Sequence, residues 1–219
     1  MRLLPLCATF LFATAALSAE APAGDEVHAV QRRPLREAKR LEITPYGAMS
    51  IGDPYLQRWG AGLRTMWHFR EGVALGLDAS GFASWATEEL VIARRELHAN
   101  VIESRERASL AAVVAIAPIY GKVALPGDVL VHFETFLDAG LGAALTETDA
   151  TRGVRPKILA GIGQRLFLGE DFALTARLGG DLYAERVVIG GAQTTKAMGF
   201  WSFALGLSIY LPGARSGER

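Results

Sequence analysis

The segment DFALTARLGGDLYAER, residues 171–186, alternates between apolar and polar side chains along its length. Leu174 and Leu178 share one parity, whereas Arg177 and Asp181 share the other. A period of two is typical of a β-strand with one apolar and one polar face. Because the polar face carries a base and an acid, it is either a catalytic surface, a solvated outer surface or the inside of a closed structure. The rest of the chain distinguishes these three alternatives.

The N-terminus has the pattern of a secretory signal peptide. Arg2 precedes an apolar run at 3–17, and small residues follow, so cleavage is expected after Ala19. The run is too short for a comfortable transmembrane helix. The single cysteine, Cys7, lies within it, so the mature chain is expected to have no disulfide. We divide the chain into a signal peptide (1–19), a periplasmic N-terminal lead-in (20–40), a β-barrel (41–211) and a C-terminal tail (212–219).

The composition narrows the class of protein. Half of the 219 residues are hydrophobic, and glycine is abundant at 24 residues. The best candidate for an apolar span after the signal, residues 108–120, is too short for a membrane helix and contains Pro118. An exported, hydrophobic chain of this kind is typical of a multi-pass β-barrel of the Gram-negative outer membrane. The 23 acidic and 23 basic residues balance, which gives no indication of a nucleic-acid partner.

Strand-like segments recur between turn-rich pieces after the lead-in. We predict an all-β fold: a transmembrane antiparallel up-and-down β-barrel of about eight strands. The expected strands cover 41–51, 57–69, 72–86, 108–118, 131–144, 157–168, 171–183 and 197–211. Tight connections at 70–72 and 169–171 alternate with long polar ones at 87–107, 145–156 and 184–196, which is the asymmetry of an outer-membrane barrel.

Charges of both signs lie on the polar faces of these strands. A barrel of about eight strands has an interior just wide enough for side chains to fill it, and an unpaired charge there is costly. The four bases and four acids on the expected inner faces therefore predict a plugged, ion-paired lumen, whereas a pore would favour a ring of one sign. The residues of this expected charge network are Arg58, Arg64, Asp78, Glu134, Asp138, Arg165, Arg177 and Asp181.

Aromatic residues near the strand ends favour a membrane barrel over a soluble β-sandwich, which would show the same alternation. Tryptophan and tyrosine prefer the headgroup level of a membrane. We therefore predict an aromatic girdle made of Trp59, Trp67, Trp85, Phe133, Trp201 and Tyr210.

The longest connection, residues 87–107, combines apolar residues at helical spacing with dense mixed charge. A short helix and the extended tips of two strands both fit this pattern. As the largest loop, it is the expected partner-binding surface. Its candidate contact residues are Leu90, Arg94, Leu97 and Val101.

The basic run RRPLREAKR at 32–40 directly precedes the first strand. It is either a periplasmic lead-in segment or a basic contact for a partner or for lipid headgroups.

The mature sequence carries no recognisable catalytic motif, since neither G-x-S-x-G nor H-E-x-x-H occurs. An envelope enzyme, one of the alternatives, would have to rely on His68 or His132, which lie at the ends of distant strands. Gly161 and Gly163 resemble part of a phosphate-binding loop but open no helix, so we interpret them as thin lumen-facing positions. We therefore predict a non-enzymatic protein with no catalytic residue, no cofactor and no metal site.

Six stretches of the mature chain carry a family resemblance: VHAVQRR (27–33), LEITPYGAMSIGDPYLQRWGAGLRTMWHF (41–69), REGVALGLDASG (70–81), APIYGKVAL (117–125), HFETFLDAGLG (132–142) and GIGQRLFLGEDFALTARLGGDLY (161–183). They resemble the outer membrane β-barrel domain family of myxobacteria and related bacteria. That family includes the integral barrels of the gliding-motility (Glt) machinery, which sit with sister barrels, lipoproteins and periplasmic partners. It has no catalytic motif to transfer to this chain.

Sequence and resemblance together predict a closed outer-membrane barrel that acts as a structural and docking component of an envelope-spanning complex. The resemblance implies that this complex serves gliding motility. The expected partners are outer-membrane lipids, sister β-barrels, lipoproteins and periplasmic proteins. The alternative function is a small passive outer-membrane channel.

Overall fold

The computed structural model describes five stretches of the chain, at 37–95, 103–125, 129–148, 151–189 and 192–211. The expected signal peptide, most of the lead-in and the C-terminal tail lie outside them, as do Leu97 and Val101. No helix in the described stretches has the length and apolar character needed to cross a membrane.

Antiparallel strands form a sheet that closes on itself, because each strand pairs with its neighbours in the chain and the first strand pairs with the last. The predicted up-and-down β-barrel of eight strands is therefore confirmed. A helix lies between the third and fourth strands. The elements are β1 (Leu41–Ile51), β2 (Leu56–Arg70), β3 (Val73–Ala86), α1 (Glu88–Arg95), β4 (Ser104–Leu125), β5 (Val129–Thr148), β6 (Arg152–Phe167), β7 (Phe172–Ile189) and β8 (Ala192–Leu211).

The last five strands are longer than the sequence pattern indicates. β4 has 22 residues and β5 has 20, and the expected loops at 145–156 and 184–196 consist mostly of paired strand. The expected end of β4 at Pro118 is also wrong, because a register shift between Ile116 and Ile119 accommodates the proline and pairing then resumes. Strands that continue beyond an apolar band become polar on both faces, and a polar stretch of this kind resembles a loop in the sequence.

Side chains alternate between the inside and the outside of the barrel. In β7, Leu174 and Leu182 are 44 % and 58 % exposed on the outer surface, whereas Ala173 and Asp181 are buried inside. The same division runs around the barrel, with large apolar side chains outward on every strand. A soluble sandwich would bury its apolar face, so the exposed apolar face excludes that alternative.

The two ends of the barrel differ. We call the end with α1 and the β1–β2 connection the loop end, and the end with the tight connections at 71–72 and 168–171 the turn end. The tight β2–β3 connection depends on Gly72, whose φ of +71° lies in the left-handed region that favours glycine.

The exposed girdle residues lie at two levels according to the strand register. Trp59, Trp85 and Trp201 are near the loop end, whereas Trp67 and Phe133 are near the turn end. The four tryptophans are all more than 40 % exposed, and Phe133 is half-buried.

Tyr210 does not belong to the girdle, which corrects the sequence expectation. Its side chain is only 2 % exposed, and its ring lies 5.9 Å from that of Phe167 inside the barrel. Tyr210 has the same parity as Ser208, which is also buried, so it belongs to the inner row of β8. An aromatic residue at a strand end can lie on either face of the sheet. Its face has to be inferred from the residues two positions away along the strand, which share that face.

A glycine makes room for Phe136, a fully buried aromatic side chain of the lumen. A Cβ atom on Gly163 would lie 2.3 Å from the ring of Phe136 and 2.8 Å from the carbonyl oxygen of Ala176. Phe136 therefore fits over the bare backbone, and the guanidinium of Arg165 stacks 4.2 Å from the centre of its ring. The interior packs densely because glycines on one strand leave space for large residues on the next.

Gly163→Ala is expected to lower the free energy of unfolding by about 1–3 kcal/mol, because either the Phe136 ring or the backbone must move. Urea unfolding of the refolded protein in lipid vesicles measures this change. Gly169→Ala is the matched control, since a Cβ there meets no atom within 4 Å. Equal losses in the two variants would contradict the packing role of Gly163.

Candidate functional site: the charged lumen

Two arginines that share one carboxylate cross the centre of the barrel. Arg64 donates from Nε to Oδ2 of Asp78 at 2.7 Å and from Nη1 to Oδ2 of Asp138 at 2.6 Å. Arg177 donates to both oxygens of Asp138, each at 2.7 Å. The hydroxyl of Tyr46 donates to Oδ1 of Asp78 at 2.8 Å. Charge-assisted bonds of this kind are the strong ones, so this middle layer ties together five of the eight strands.

A second layer closes the turn end around Arg165. Its guanidinium lies 3.0 Å from Oε2 of Glu42 and 3.3 Å from Oε2 of Glu134. Glu42 also contacts Nε2 of His68 at 2.8 Å, and Nδ1 of His68 lies 3.6 Å from Glu37. The space enclosed by Glu37, His68, Glu134 and Arg165 has no volume for a water molecule. These side chains therefore seal the turn end as far as the described residues extend.

A third layer lies towards the loop end and centres on Lys157. Its Nζ is 2.7 Å from Oε1 of Glu106 and 3.3 Å from Oδ1 of Asp181, and it donates to the hydroxyl of Ser109 at 2.9 Å. A cavity of about 40 Å³ lies between this layer and the middle one. That volume holds a few water molecules but no larger solute.

An ion pair of Arg58 and Asp53 lies at the mouth of the loop end. Asp53 also accepts hydrogen bonds from the backbone N–H groups of Tyr55 and Leu56, at 2.9 and 3.0 Å. Partial burial would raise the pKa of Asp53, but the bonds from Arg58 and the two amides outweigh it and hold that pKa below its usual range. Asp53 therefore stays ionised at neutral pH and keeps Arg58 above the ring of Phe200, 4.6 Å from its centre.

The structure places all eight residues of the expected charge network inside the barrel. Asp181 pairs with Lys157, and Arg177 pairs with Asp138. The lumen also contains Glu42, Lys157 and Glu106, so the balance of four bases and four acids was incomplete. Glu42 and Lys157 have the parity of neighbouring lumen residues, which was a usable signal. Glu106 lies beside a register shift that reverses the apparent parity of its strand.

Within the described part of the expected partner-binding loop, the residues of α1 are helical and those from Ser104 onward belong to β4, whereas 96–102 lie outside the described residues. Leu90 is only 1 % exposed and is therefore not available as a contact residue. Arg94 pairs with Glu103 at 2.7 Å. The apolar residues that α1 does expose are Val91 and Ile92.

The two histidines that an enzyme would need do not come together in the lumen. His68 is buried in the turn-end layer, whereas His132 stacks on Tyr120, 6.1 Å between ring centres, where β4 and β5 extend past β3. Among the described residues, no group of three or more acidic, histidine or cysteine side chains has the arrangement of a metal site.

Comparison with solved structures identifies proteins similar in fold. The N-terminal β-barrel domain of Pseudomonas aeruginosa OprF shares 14 % identity, with a TM-score of 0.44 over 80 % of this chain and 98 % of that chain. Neisserial surface protein A shares 8 % identity, with a TM-score of 0.47 over 78 % and 95 %. A major outer membrane protein from Thermus thermophilus shares 11 %, with a TM-score of 0.30 over 78 % and 98 %. No family model and no curated protein matches this chain.

Arg64→Met is expected to lower the free energy of unfolding by about 3–5 kcal/mol, because it removes the arginine of Asp78 and one of the two arginines of Asp138. Arg177→Met is expected to cost less, since Asp138 then keeps Arg64. Urea unfolding in lipid vesicles measures both, with Arg95→Met on the exposed face of α1 as a control expected to change stability by less than about 0.5 kcal/mol. A larger loss for Arg177→Met than for Arg64→Met would contradict this ranking.

Proposed function

We propose that this protein is a sealed, non-enzymatic barrel of the outer membrane that anchors an envelope-spanning complex and does not conduct solutes. The observation that carries the proposal is the lumen, which three layers of paired charges cross and in which the space between Glu37, His68, Glu134 and Arg165 holds no water molecule. A conducting pore needs a wider bore and favours charges of one sign. The small passive channel is therefore the less well supported function.

The outer surface supports the membrane location. Leu141, Val154 and Leu182 are 67 %, 68 % and 58 % exposed, and they belong to an apolar band that continues around the barrel. A soluble protein rarely exposes a contiguous apolar surface of this extent. Closed strand pairing also satisfies the backbone hydrogen bonds, as hydrocarbon surroundings require. The tryptophans near both ends of this band fit the two headgroup levels.

The point where the chain enters the barrel supports a load-bearing role. Arg40 donates to the carbonyl oxygens of Glu170 at 2.7 Å and Tyr210 at 2.8 Å, and it pairs with Asp171. The N–H of His68 donates to the carbonyl of Arg40 at 3.1 Å. A pull on the chain before Arg40 would therefore act on β2, on the β6–β7 connection and on β8 together.

The family resemblance supplies the finer form of the proposal, which is a docking role in a gliding-motility complex. The partners would be sister barrels, lipoproteins and periplasmic proteins. A rigid, plugged barrel suits this role, because a barrel wall that resists deformation transmits force from the periplasm to the cell surface.

The purified protein is expected to show no steady conductance in planar lipid bilayers, because the paired layers block the lumen. A change in gel mobility in SDS before and after boiling verifies that the recorded protein is a folded barrel. Steady openings from folded protein would overturn the sealed-barrel proposal and favour the passive channel.

Deletion of the gene is expected to stop gliding and to release partner proteins from the outer membrane of the bacterium that carries it. Complementation with Arg40→Ala is expected to restore the folded barrel and partner retention but to leave gliding slower, because the junction loses its contacts to Glu170, Asp171 and Tyr210. Arg70→Ala, at the same end of the barrel, is the matched control. Normal gliding and normal partner retention in the deletion strain would refute the motility role.

A further inference from the structure

The outward rows of three strands in one wall of the barrel carry arginine towards the loop end. On β6, Arg152 lies two residues from the outward Val154, and both are exposed. On β7, Arg186 is exposed and continues the outward row. On β4, the side chains of Arg105 and Arg107 are 34 % and 38 % exposed. We call Arg105, Arg107, Arg152 and Arg186 the arginine arc.

The arginine arc and the tryptophans divide the rim of the loop end between them. Trp59, Trp85 and Trp201 belong to β2, β3 and β8, whereas the arginine arc belongs to β4, β6 and β7. Both groups lie towards the loop end of their strands. The wall formed by β4 to β7 therefore has guanidinium groups towards the loop end, whereas the wall formed by β8 and β1 to β3 has indole rings.

The arginine arc has more positive than negative charge in its surroundings. Glu147, on β5, is 2.8 Å from Arg107 and lies opposite Arg152 in the strand register. Glu103 is 2.6 Å from Arg105. Among the residues that the structure describes, two carboxylates thus face four guanidinium groups, although the whole chain carries equal numbers of acids and bases. The local excess is a property of this rim and does not reflect general basicity.

The position of the excess charge indicates its ligand. Phosphate groups of a bilayer lie at the boundary of the hydrocarbon, where a barrel's aromatic girdle also lies. Arginine binds phosphate with two parallel hydrogen bonds and is less strongly hydrated than lysine.

We infer that the arginine arc binds the phosphate groups of phosphorylated glycolipids in the outer leaflet, so that one wall of the barrel carries a selected lipid shell. The inference rests on the proposed outer-membrane location, with the loop end facing outward as the short periplasmic turns and longer outer loops of such barrels imply. Each lipid would place its phosphate between guanidinium groups and its acyl chains along the apolar rows of β4 to β7. Glu147 opposes this binding by occupying Arg107.

The test uses the mature chain refolded into phosphatidylethanolamine vesicles and recovered by flotation. Native mass spectrometry then titrates the recovered barrel with bisphosphorylated lipid A. The double variant Arg152→Gln/Arg186→Gln is expected to bind roughly thirtyfold more weakly than the unmodified chain. Arg70→Gln/Arg95→Gln removes the same charge outside the arc and is expected to bind within about twofold of the unmodified chain. Glu147→Gln is expected to bind more tightly, because it releases Arg107.

Two further arms identify the ligand. In the first arm, lipid A without its phosphates is titrated against the unmodified chain, and it is expected to bind as weakly as intact lipid A binds to the arc variant. In the second arm, inorganic phosphate is added at the concentration of the lipid, and it is expected not to displace intact lipid A from the unmodified chain. Equal weakening by the control variant, equal binding of the phosphate-free lipid or displacement by inorganic phosphate would each overturn the inference. Failure of the chain to float with the vesicles would instead refute the membrane location.

Discussion

The carboxylate of Asp138 is the centre of the structure, because it accepts hydrogen bonds from two arginines that are largely removed from solvent. Arg64 and Arg177 reach it from strands that are not adjacent in the barrel. A charge in such an interior is tolerated only when it is paired and hydrogen-bonded. Because these arginines lie inside, other inward positions must carry acidic side chains at the same level along the barrel. The barrel must also close, since only closure brings the acids and the arginines together.

The same requirement explains the use of space in the lumen. Paired guanidinium groups are bulky. The narrow bore of this barrel does not have room for them when every neighbouring inward residue also carries a full-sized side chain. Glycines on facing strands provide that volume, as Gly163 does for Phe136 and Gly161 does for the guanidinium group of Arg177. Dense packing and charge pairing are therefore one solution, and the sealed lumen follows from it. A protein selected to conduct would have kept this interior wet and wide.

The period-two pattern was sufficient to predict the barrel, because a strand in a closed sheet has only two faces and each has a uniform environment. It could not supply the partners of the charges. Arg177 and Asp181 are four residues apart on one strand, roughly 13 Å at the usual rise, so neither can pair with the other. Asp181 instead meets Lys157 from the adjacent strand, and that meeting depends on register, which the sequence does not state.

The strand lengths predicted from the sequence were wrong for a related reason. Glu185 lies in a stretch that looked like a loop, yet it is buried and pairs with Arg155 at 2.9 Å. Outside the hydrocarbon both faces of a strand meet polar surroundings, so the alternation that marks a strand disappears while the backbone pairing continues. The helix α1 gives the opposite case. Its apolar residues at helical spacing were interpreted as a partner-binding surface, but Leu90 is buried, so the spacing indicates packing within the protein.

Pairing on the inside leaves the outside of the barrel free to vary from wall to wall. The lumen layers join strands around the whole circumference, so no strand depends on its outward side chains for attachment. One wall can therefore carry tryptophan and the other arginine without destabilising the closed barrel. A barrel built this way presents a different surface in each lateral direction, and that distinction suits the anchoring role among sister barrels and lipids that we propose.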